Sequence, residues 1–237
     1  MSLLSICQNV LDITGWDYLS TIASNTDKTA RQIKALANQE LENLSRRFDW
    51  RHLVVEYEFT TVVDQAEYNL PDDYDKLIQD SVYNKEEYYK LRSSMTEHHW
   101  NAWRHGLLGS ISHQRYRIVL NGVSPIFLLS PTPSDTEDLV LFYKTSEHAR
   151  AEDTTPKTRY ELDTDVSRIP EDVVQQGLLW RFKRAKGLDF SAELSEYNEM
   201  CRTRFAQTRG ESDLPIPNGV ITPELTEGYV PDSGFGA

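Results

Sequence analysis

SNTDKTARQIKALANQELENLSRRFDW, residues 24–50, is the stretch that constrains the fold most. Ser24 is followed three residues later by Asp27, which is typical of a capping box that satisfies amide groups in the first helical turn. Apolar residues then recur at three- and four-residue steps, the period of one helix face. They are Ala30, Ile33, Ala37, Leu41, Leu44 and Phe48. The sequence predicts one long amphipathic helix over residues 24–50.

The period of the apolar residues changes directly after this helix. From Leu53 the chain reads LVVEYEFTT, where apolar and polar residues alternate as in a strand with one buried face. More short segments rich in Tyr, Val, Ile or Phe follow as far as Lys144, bounded by Asp, Asn, Gly, Ser or Pro. They read EYNL, LIQDSVY, EYYKLR, RYRIVL, PIFLLS and DLVLFYKT. The sequence predicts an antiparallel sheet domain here.

Two further segments belong to this middle part of the chain. A helix is predicted from Ser94, which forms a second capping box with Glu97, to Gly106, and we expect it to cover an open side of the sheet. Residues 146–168 are polar and charged with little periodicity. This segment is expected to be a flexible connection from the sheet back to the helices.

Helical patterns occur at both ends of the chain. A short first helix ends at Gly15, because glycine tolerates the left-handed conformation at a helix end. Pro170 begins a helix that Gly187 ends, and another helix follows to about residue 209. The last 27 residues contain four prolines, four glycines, five acidic residues and no Lys or Arg. Such a composition predicts an extended tail without its own core.

The predicted fold class is α+β. A four-helix-type bundle is built from both chain ends, residues 1–50 and 168–210. An antiparallel β-sandwich or barrel-like domain, residues 51–167, is inserted between them. Residues 211–237 form an extended C-terminal tail.

Charge and composition restrict the function. The net charge of −12 comes from 37 acidic and 25 basic residues and repels nucleic-acid phosphates, which argues against a free DNA-binding protein. No segment approaches the roughly 20 apolar residues of a membrane helix, and the N-terminus lacks the basic region of a signal peptide. Cys7 and Cys201 are expected to be buried thiols in a reducing compartment. We therefore predict a soluble protein without a membrane partner.

Motifs for several enzyme classes are missing. The sequence has no glycine-rich phosphate loop, no GxSxG and no paired CxxC. His98 and His99 are neighbours that a helix points in different directions, and His105 lies about 10 Å further along the axis. We predict an exposed or interface polar face there rather than a metal site.

Two acidic clusters lack the residue pattern of a calcium site. Asp72, Asp73 and Asp75 form one cluster, and Glu161, Asp163 and Asp165 form the other. Neither has the glycine and the distal glutamate of a calcium loop. A carboxyl pair for glycoside hydrolysis could lie among the 37 acidic residues, and the sequence gives no position for it. No catalytic, cofactor-binding or metal residue is predicted.

The densest basic run consists of Arg181, Lys183, Arg184 and Lys186. One interpretation is a solvated face whose charge complements the negative end of its helix. The alternative is a docking surface that steers and orients an acidic partner. Arg202, Arg204 and Arg209 extend the positive charge into the next helix.

The order of several segments resembles the head-to-tail adaptor, or head completion, proteins of short-tailed and related tailed phages. It is similar to that of the tail tubular protein A-type adaptors. The segments are TARQIKALANQELENLSRRFDW leading into VEYEFTT, then EYNLPDDYDKLI, residues 94–106 with Trp100, and RIPEDVVQQGLLWRFKRAKGLDF. Together they span nearly the whole chain to about Arg209, and their order and spacing carry the resemblance.

The resemblance implies a non-enzymatic, cofactor-free ring component of the virion. Such adaptors assemble as twelve copies beneath the portal, extend the DNA channel and offer a platform to the next tail component. The implied partners are further copies of the chain, the portal protein, a downstream tail or nozzle protein, and genomic DNA that passes without specific binding. The implied location is the virion neck, after assembly in the host cytoplasm.

Two segments are candidate contacts with the portal or a neighbouring subunit, and both are inferred from the sequence itself. The basic run is one candidate contact with the portal or a neighbouring subunit. The tail is the other, with Tyr229 and Phe235 as anchors, because a segment without a core orders itself only on binding. The alternative functions are a virion-associated hydrolase that cleaves peptidoglycan or glycans, and a decoration or adhesion module.

Overall fold

The computed structural model describes residues 1–93, 96–105, 114–120 and 124–209, and it confirms the α+β class. The helices of these residues are α1 (Leu3–Thr14), α2 (Lys28–Arg47), α3 (Glu97–His105), α4 (Glu171–Ala185) and α5 (Ser191–Arg209), with a 3-10 turn at Arg51–Leu53. The strands are β1 (Val54–Thr60), β2 (Glu67–Asn69), β3 (Tyr74–Leu77), β4 (Tyr83–Asn84), β5 (Tyr89–Lys90), β6 (Arg92–Ser93), β7 (Arg115–Leu120), β8 (Pro125–Ser130), β9 (Asp138–Thr145), β10 (Ala149–Arg150), β11 (Pro156–Lys157) and β12 (Val166–Ser167).

Helix α2 is shorter at both ends than the predicted helix over residues 24–50. Asp27 is the residue that caps it, because its carboxylate accepts the Thr29 amide at 2.9 Å, whereas Ser24 lies before the helix. At the other end Phe48 is already extended, with φ −137°. The Trp50 indole then turns back and donates to the Leu44 carbonyl at 2.9 Å. The predicted capping box is therefore wrong, while the apolar face of the helix is confirmed.

Helix α4 lies at the centre of the helical part. It packs against α1, α2 and α5. Its buried hydrophobic residues lie on more than one face, because three helices surround it; they are Val173, Val174, Leu178, Leu179, Trp180 and Phe182. Helix α4 therefore links α1 and α2, which also contact each other.

Helices α1 and α5 follow the prediction closely. Gly15 ends α1 in the left-handed region at φ 70°, as expected for a helix C-cap. Tyr197 and Cys201 on α5 are buried against α4, and Gly187 in the turn between the two helices has φ 74°. Together with α2 and α4 they form the first hydrophobic core, which residues from outside the helices join; these are Trp50, Leu53, Ala149, Tyr160 and Ile169.

Two sheets face each other in the middle of the chain. The first has the order β1-β9-β4-β5, with β3 also on β9, and the second has the order β2-β8-β7-β6. β1 pairs with β9 along its length, so that Val54 lies opposite Lys144 and Thr60 opposite Asp138. Most pairs are antiparallel as predicted, but β6 and β7 are parallel. Phe127 from the second sheet and Leu139 and Leu141 from the first fill a second core.

Two segments predicted as single strands are broken in the structure. LIQDSVY leaves β3 at Leu77 and enters β4 only at Tyr83, because Asp80 turns the chain with φ 62°. EYYKLR is divided between β5 in the first sheet and β6 in the second. Tyr88, with φ 57°, forms the turn before β5.

The segment over residues 146–168 is ordered, contrary to the prediction of a flexible connection. It contains the three-stranded sheet β11-β10-β12, and Ser2 makes an additional bridge to Val166. Tyr160 is 1% exposed and belongs to the helical core. Packing against the helices orders this polar segment, although its sequence has little periodicity.

Helix α3 covers an end of the second sheet. Trp103 is buried and donates its indole N–H to the Ser130 carbonyl of β8 at 3.0 Å. The predicted capping residue Ser94 and the predicted end Gly106 lie outside the described residues. The tail over residues 211–237 does so too, and the three domain boundaries stay a prediction. Within the described ranges no helix is long and apolar enough to cross a membrane.

Candidate interaction surfaces

A buried glutamate joins three helices of the bundle. Glu40 of α2 is 0% exposed and accepts the Tyr197 hydroxyl of α5 at 2.5 Å. It also pairs with Arg181 of α4, whose Nε–H donates to the carboxylate. Burial raises the pKa of Glu40, although Tyr197 and Arg181 both oppose that shift. The first member of the basic run therefore holds the bundle together internally.

Gly177 makes room for this carboxylate. A Cβ placed on Gly177 would overlap the Glu40 side chain. The glycine in the middle of α4 is thus explained by close approach of α2 rather than by backbone conformation. This contact could not be predicted from the sequence pattern, because Glu40 and Gly177 are 137 positions apart in the chain.

The other members of the basic run have different environments. Lys183 forms an ion pair with Glu193 of α5. Lys186 lies over the Trp16 ring, with Nζ 4.1 Å from its centroid. Arg184 is exposed, and it makes no ion pair within the described part of the chain. The structure therefore leaves Arg184 as the member most accessible to a partner.

A groove of about 370 Å³ lies between α2, α4 and α5, and we call it the arginine groove. Its lining residues are Asn43, Arg46, Arg47, Trp180, Arg181, Leu194, Tyr197 and Asn198. Arg46 pairs with Glu42 at 2.6 Å, and Arg47 donates to the Asn198 side chain at 3.0 Å. Two arginines at the end of α2, Arg46 and Arg47, therefore line this groove.

The larger cleft, of about 580 Å³, lies beside the start of α2. Arg31, Lys34 and Arg159 give it a basic wall. Lys34 is already engaged, since its Nζ donates to the Ala23 carbonyl at 3.2 Å and the Glu161 carbonyl at 3.0 Å. Lys34 therefore links α2 to residues 146–168 at this cleft.

The acidic cluster at residues 161–165 clamps backbone amides. Asp163 accepts the amides of Ile22 and Ala23 at 3.0 and 2.7 Å. Asp165 accepts the amides of Glu161 and Leu162 and pairs with a lysine, Lys157, at 2.8 Å. Burial by itself would raise the pKa of Asp165, but these hydrogen bonds and the lysine outweigh it and lower the pKa. The cluster therefore ties loops to the bundle.

The chain passes between bundle and sheets at a polar junction. Lys144 at the end of β9 is nearly buried, and its Nζ donates to the Ser45 carbonyl of α2 at 3.1 Å. The same ammonium is 3.0 Å from Asp75 and 3.7 Å from Asp49. His148 lies beside it, with Nε2 3.2 Å from the Ser45 hydroxyl, and burial lowers the pKa of this histidine. These contacts hold α2 against the first sheet.

The histidines and cysteines of the described residues do not form a metal site. His98, His99 and His105 are all exposed on α3. Among residues 1–93, 96–105, 114–120 and 124–209, no group of three or more His, Cys, Asp or Glu could hold a metal ion. Cys7 and Cys201 are free and buried as predicted, and burial raises the pKa of Cys7 to about 12. Tyr229 and Phe235, the predicted tail anchors, lie outside the described residues.

The helical bundle, the inserted sheets and their order along the chain are those expected of a structural adaptor of a phage virion. A family model described as SU10 adaptor protein matches residues 1–217. The chain belongs to the SU10 adaptor protein family, which confirms the resemblance to phage head-to-tail adaptors. No curated protein matches the chain. Family membership makes it a structural protein of the virion neck, associated with portal and tail proteins.

Proposed function

We propose that the chain is a head-to-tail adaptor that assembles as a ring of twelve copies beneath the portal. The ring extends the DNA channel and gives the next tail or nozzle protein a platform. Family membership over residues 1–217 is the observation that carries this proposal. The chain acts without catalysis or a cofactor, and it assembles in the host cytoplasm before it occupies the virion neck.

The charge of the chain suits a channel for DNA. A net charge of −12 means that few phosphates are neutralised when DNA passes. Because binding strength grows with the number of neutralised phosphates, DNA slides through such a ring without specific binding.

The basic run and the tail are the proposed portal or neighbour contacts. Arg184 is the exposed member of the run, while Arg181 and Lys183 are engaged inside the bundle. Tyr229 and Phe235 anchor the tail against the portal or an adjacent subunit. Deletion of residues 213–237 should then weaken assembly on the portal, and unchanged assembly would contradict this role of the tail.

Sedimentation velocity of the purified chain, alone and mixed with portal complexes, tests the proposal. We expect the chain to co-sediment with the portal at a fixed stoichiometry. A chain that stays in its own boundary at every ratio would contradict the proposal. A peptidoglycan clearing assay with the same preparation should be negative, and clearing would favour a hydrolase instead.

A further inference from the structure

We propose that the arginine groove of each subunit binds the acidic C-terminal segment, residues 211–237, of a neighbouring copy of the chain. The inference rests on the proposed ring and deepens it, because it names a contact that joins adjacent subunits. It rests on the walls of the groove and on the composition and starting point of the segment.

The walls of the groove suit an extended acidic peptide. Arg46 has 73% of its side chain exposed, and its partner Glu42 is itself 56% exposed. Exposed pairs of this kind contribute little, so an incoming carboxylate can take over the guanidinium. Arg47 lies beside it, while Trp180 and Leu194 add apolar surface. Arginine binds a carboxylate with two parallel hydrogen bonds, and aromatic neighbours supply contact area.

Trp180 adds an aromatic ring to the wall of the groove. The residue is 8% exposed and packs against Tyr197, with ring centroids 6.0 Å apart. Its indole N–H is buried and has no acceptor within the described residues.

Residues 211–237 have the complementary composition. They include five acidic residues and no Lys or Arg, together with Tyr229, Phe235 and four prolines. The carboxylates match the arginines, and the aromatic side chains match the apolar part of the groove. Proline fixes its backbone angle, so less conformational entropy is lost when the segment binds.

The position of α5 favours the groove of a neighbour over the segment's own groove. Asn198 lines the groove, and α5 continues from there to Arg209. At 1.5 Å per residue this is about 16 Å of helix, so α5 ends well beyond the groove and a return to it would need a reversal of the chain direction. An extended segment of this length can span up to about 90 Å, which lets it reach an adjacent subunit.

Photo-crosslinking of the full-length chain tests the inference. Asn43 in the groove wall is replaced by a photoreactive residue, Asn43→p-benzoylphenylalanine, in chain of natural isotope content. This chain is mixed with an equal amount of ¹⁵N-labelled wild-type chain on portal complexes and irradiated, and the products are analysed by mass spectrometry. We expect crosslinks to residues 211–237 of the labelled copy. The same residue at the exposed Asn101 of α3 is the control and should not capture that segment.

Crosslinks confined to the same copy, or to segments other than residues 211–237, would overturn the inference.

Charge provides a second test. Arg46→Glu with Arg47→Glu should lower the yield at least tenfold, and Glu224→Arg with Glu227→Arg in the labelled copy should restore it. An unchanged yield in the groove variant would also overturn the inference.

Co-sedimentation of the same samples separates the two claims. If the wild-type chain assembles on the portal but residues 211–237 are not captured, only the groove inference fails. If the wild-type chain does not assemble, the proposed function fails and this inference fails with it.

Discussion

Gly177 lies in the middle of α4, a position where replacement of glycine by alanine normally stabilises a helix by about 1 kcal/mol. A Cβ at this position would overlap the Glu40 carboxylate. We therefore expect Gly177→Ala to lower the free energy of unfolding, by about 1–3 kcal/mol as in other overpacked sites. Urea unfolding followed by circular dichroism measures the change.

A double-mutant cycle supplies the control for this prediction. Glu40→Ala by itself should be destabilising, because it leaves Arg181 and Tyr197 without their buried acceptor. In that background Gly177→Ala should cost much less, since the overlapping carboxylate is gone. Equal costs in both backgrounds would contradict the close approach of α2 and α4.

Asp165 gives a prediction about pH. Its pKa is lowered in the folded chain, so its contribution to stability is complete above the unfolded pKa of about 3.9 and is lost as pH falls through the folded pKa. Asp165→Asn should lower the free energy of unfolding at pH 7 by about 1–3 kcal/mol. The difference between variant and wild type should shrink below about pH 4.

Urea titrations at several pH values between 7 and 3 measure this difference. Asp12→Asn, on the exposed side of α1, is the matched control and should behave like the wild type. If the difference in free energy of unfolding between Asp165→Asn and the wild type stayed constant down to pH 3, the hydrogen bonds of the ionised carboxylate would not be its cause.

At the scale of elements, the junction between α2 and β9 depends on one lysine. Lys144 donates to the Ser45 carbonyl and lies between the carboxylates of Asp49 and Asp75. Lys144→Met should lower the free energy of unfolding by about 1–3 kcal/mol, because it leaves polar groups without their donor. It should also speed proteolysis at residues 48–54 and 145–149, where the chain passes between bundle and sheets.

Lys76→Met is the control for this junction. Lys76 also pairs with Asp49, at 2.7 Å, but 57% of its side chain is exposed. Its loss should cost less than about 1 kcal/mol. If both lysine variants had the same effect, the buried position of Lys144 would not be what stabilises the junction.

The helices could be predicted from sequence better than the strands. The apolar period of 3.6 residues determines which face of α2 is buried, whatever its end residues are. The start of α2 could not be predicted, because Ser24 and Asp27 are both able to cap and only the folded chain selects Asp27. The strands around Asp80 and Tyr88 could not be separated, because positive φ at a non-glycine residue depends on tertiary contacts.

The candidate site was predictable only in part. The basic run could be identified from the sequence as a cluster of charge. Its accessible member, Arg184, could not be identified, because the partners of the other three residues, Glu40, Glu193 and Trp16, lie on other elements. The arginine groove could not be predicted at all. Its walls come from α2, α4 and α5, and only packing of the bundle brings them together.

At the scale of the whole molecule, Arg184 tests docking by charge. Arg184→Glu should weaken co-sedimentation with portal complexes, and the effect should diminish as salt screens the interaction. Arg104→Glu makes the same change of net charge on the exposed side of α3 and should have little effect. Equal weakening by both variants would point to net charge rather than to a contact at Arg184.

Electron microscopy of the purified chain with and without portal complexes tests the central claim most directly. We expect portal complexes to gain a ring of twelve copies on one end, with a central channel that continues the portal channel. A chain that is monomeric without portal complexes agrees with this expectation, since the portal can serve as the template for the ring. Portal complexes without added density, or copies bound without a ring, would contradict the proposed function as a ring-forming adaptor.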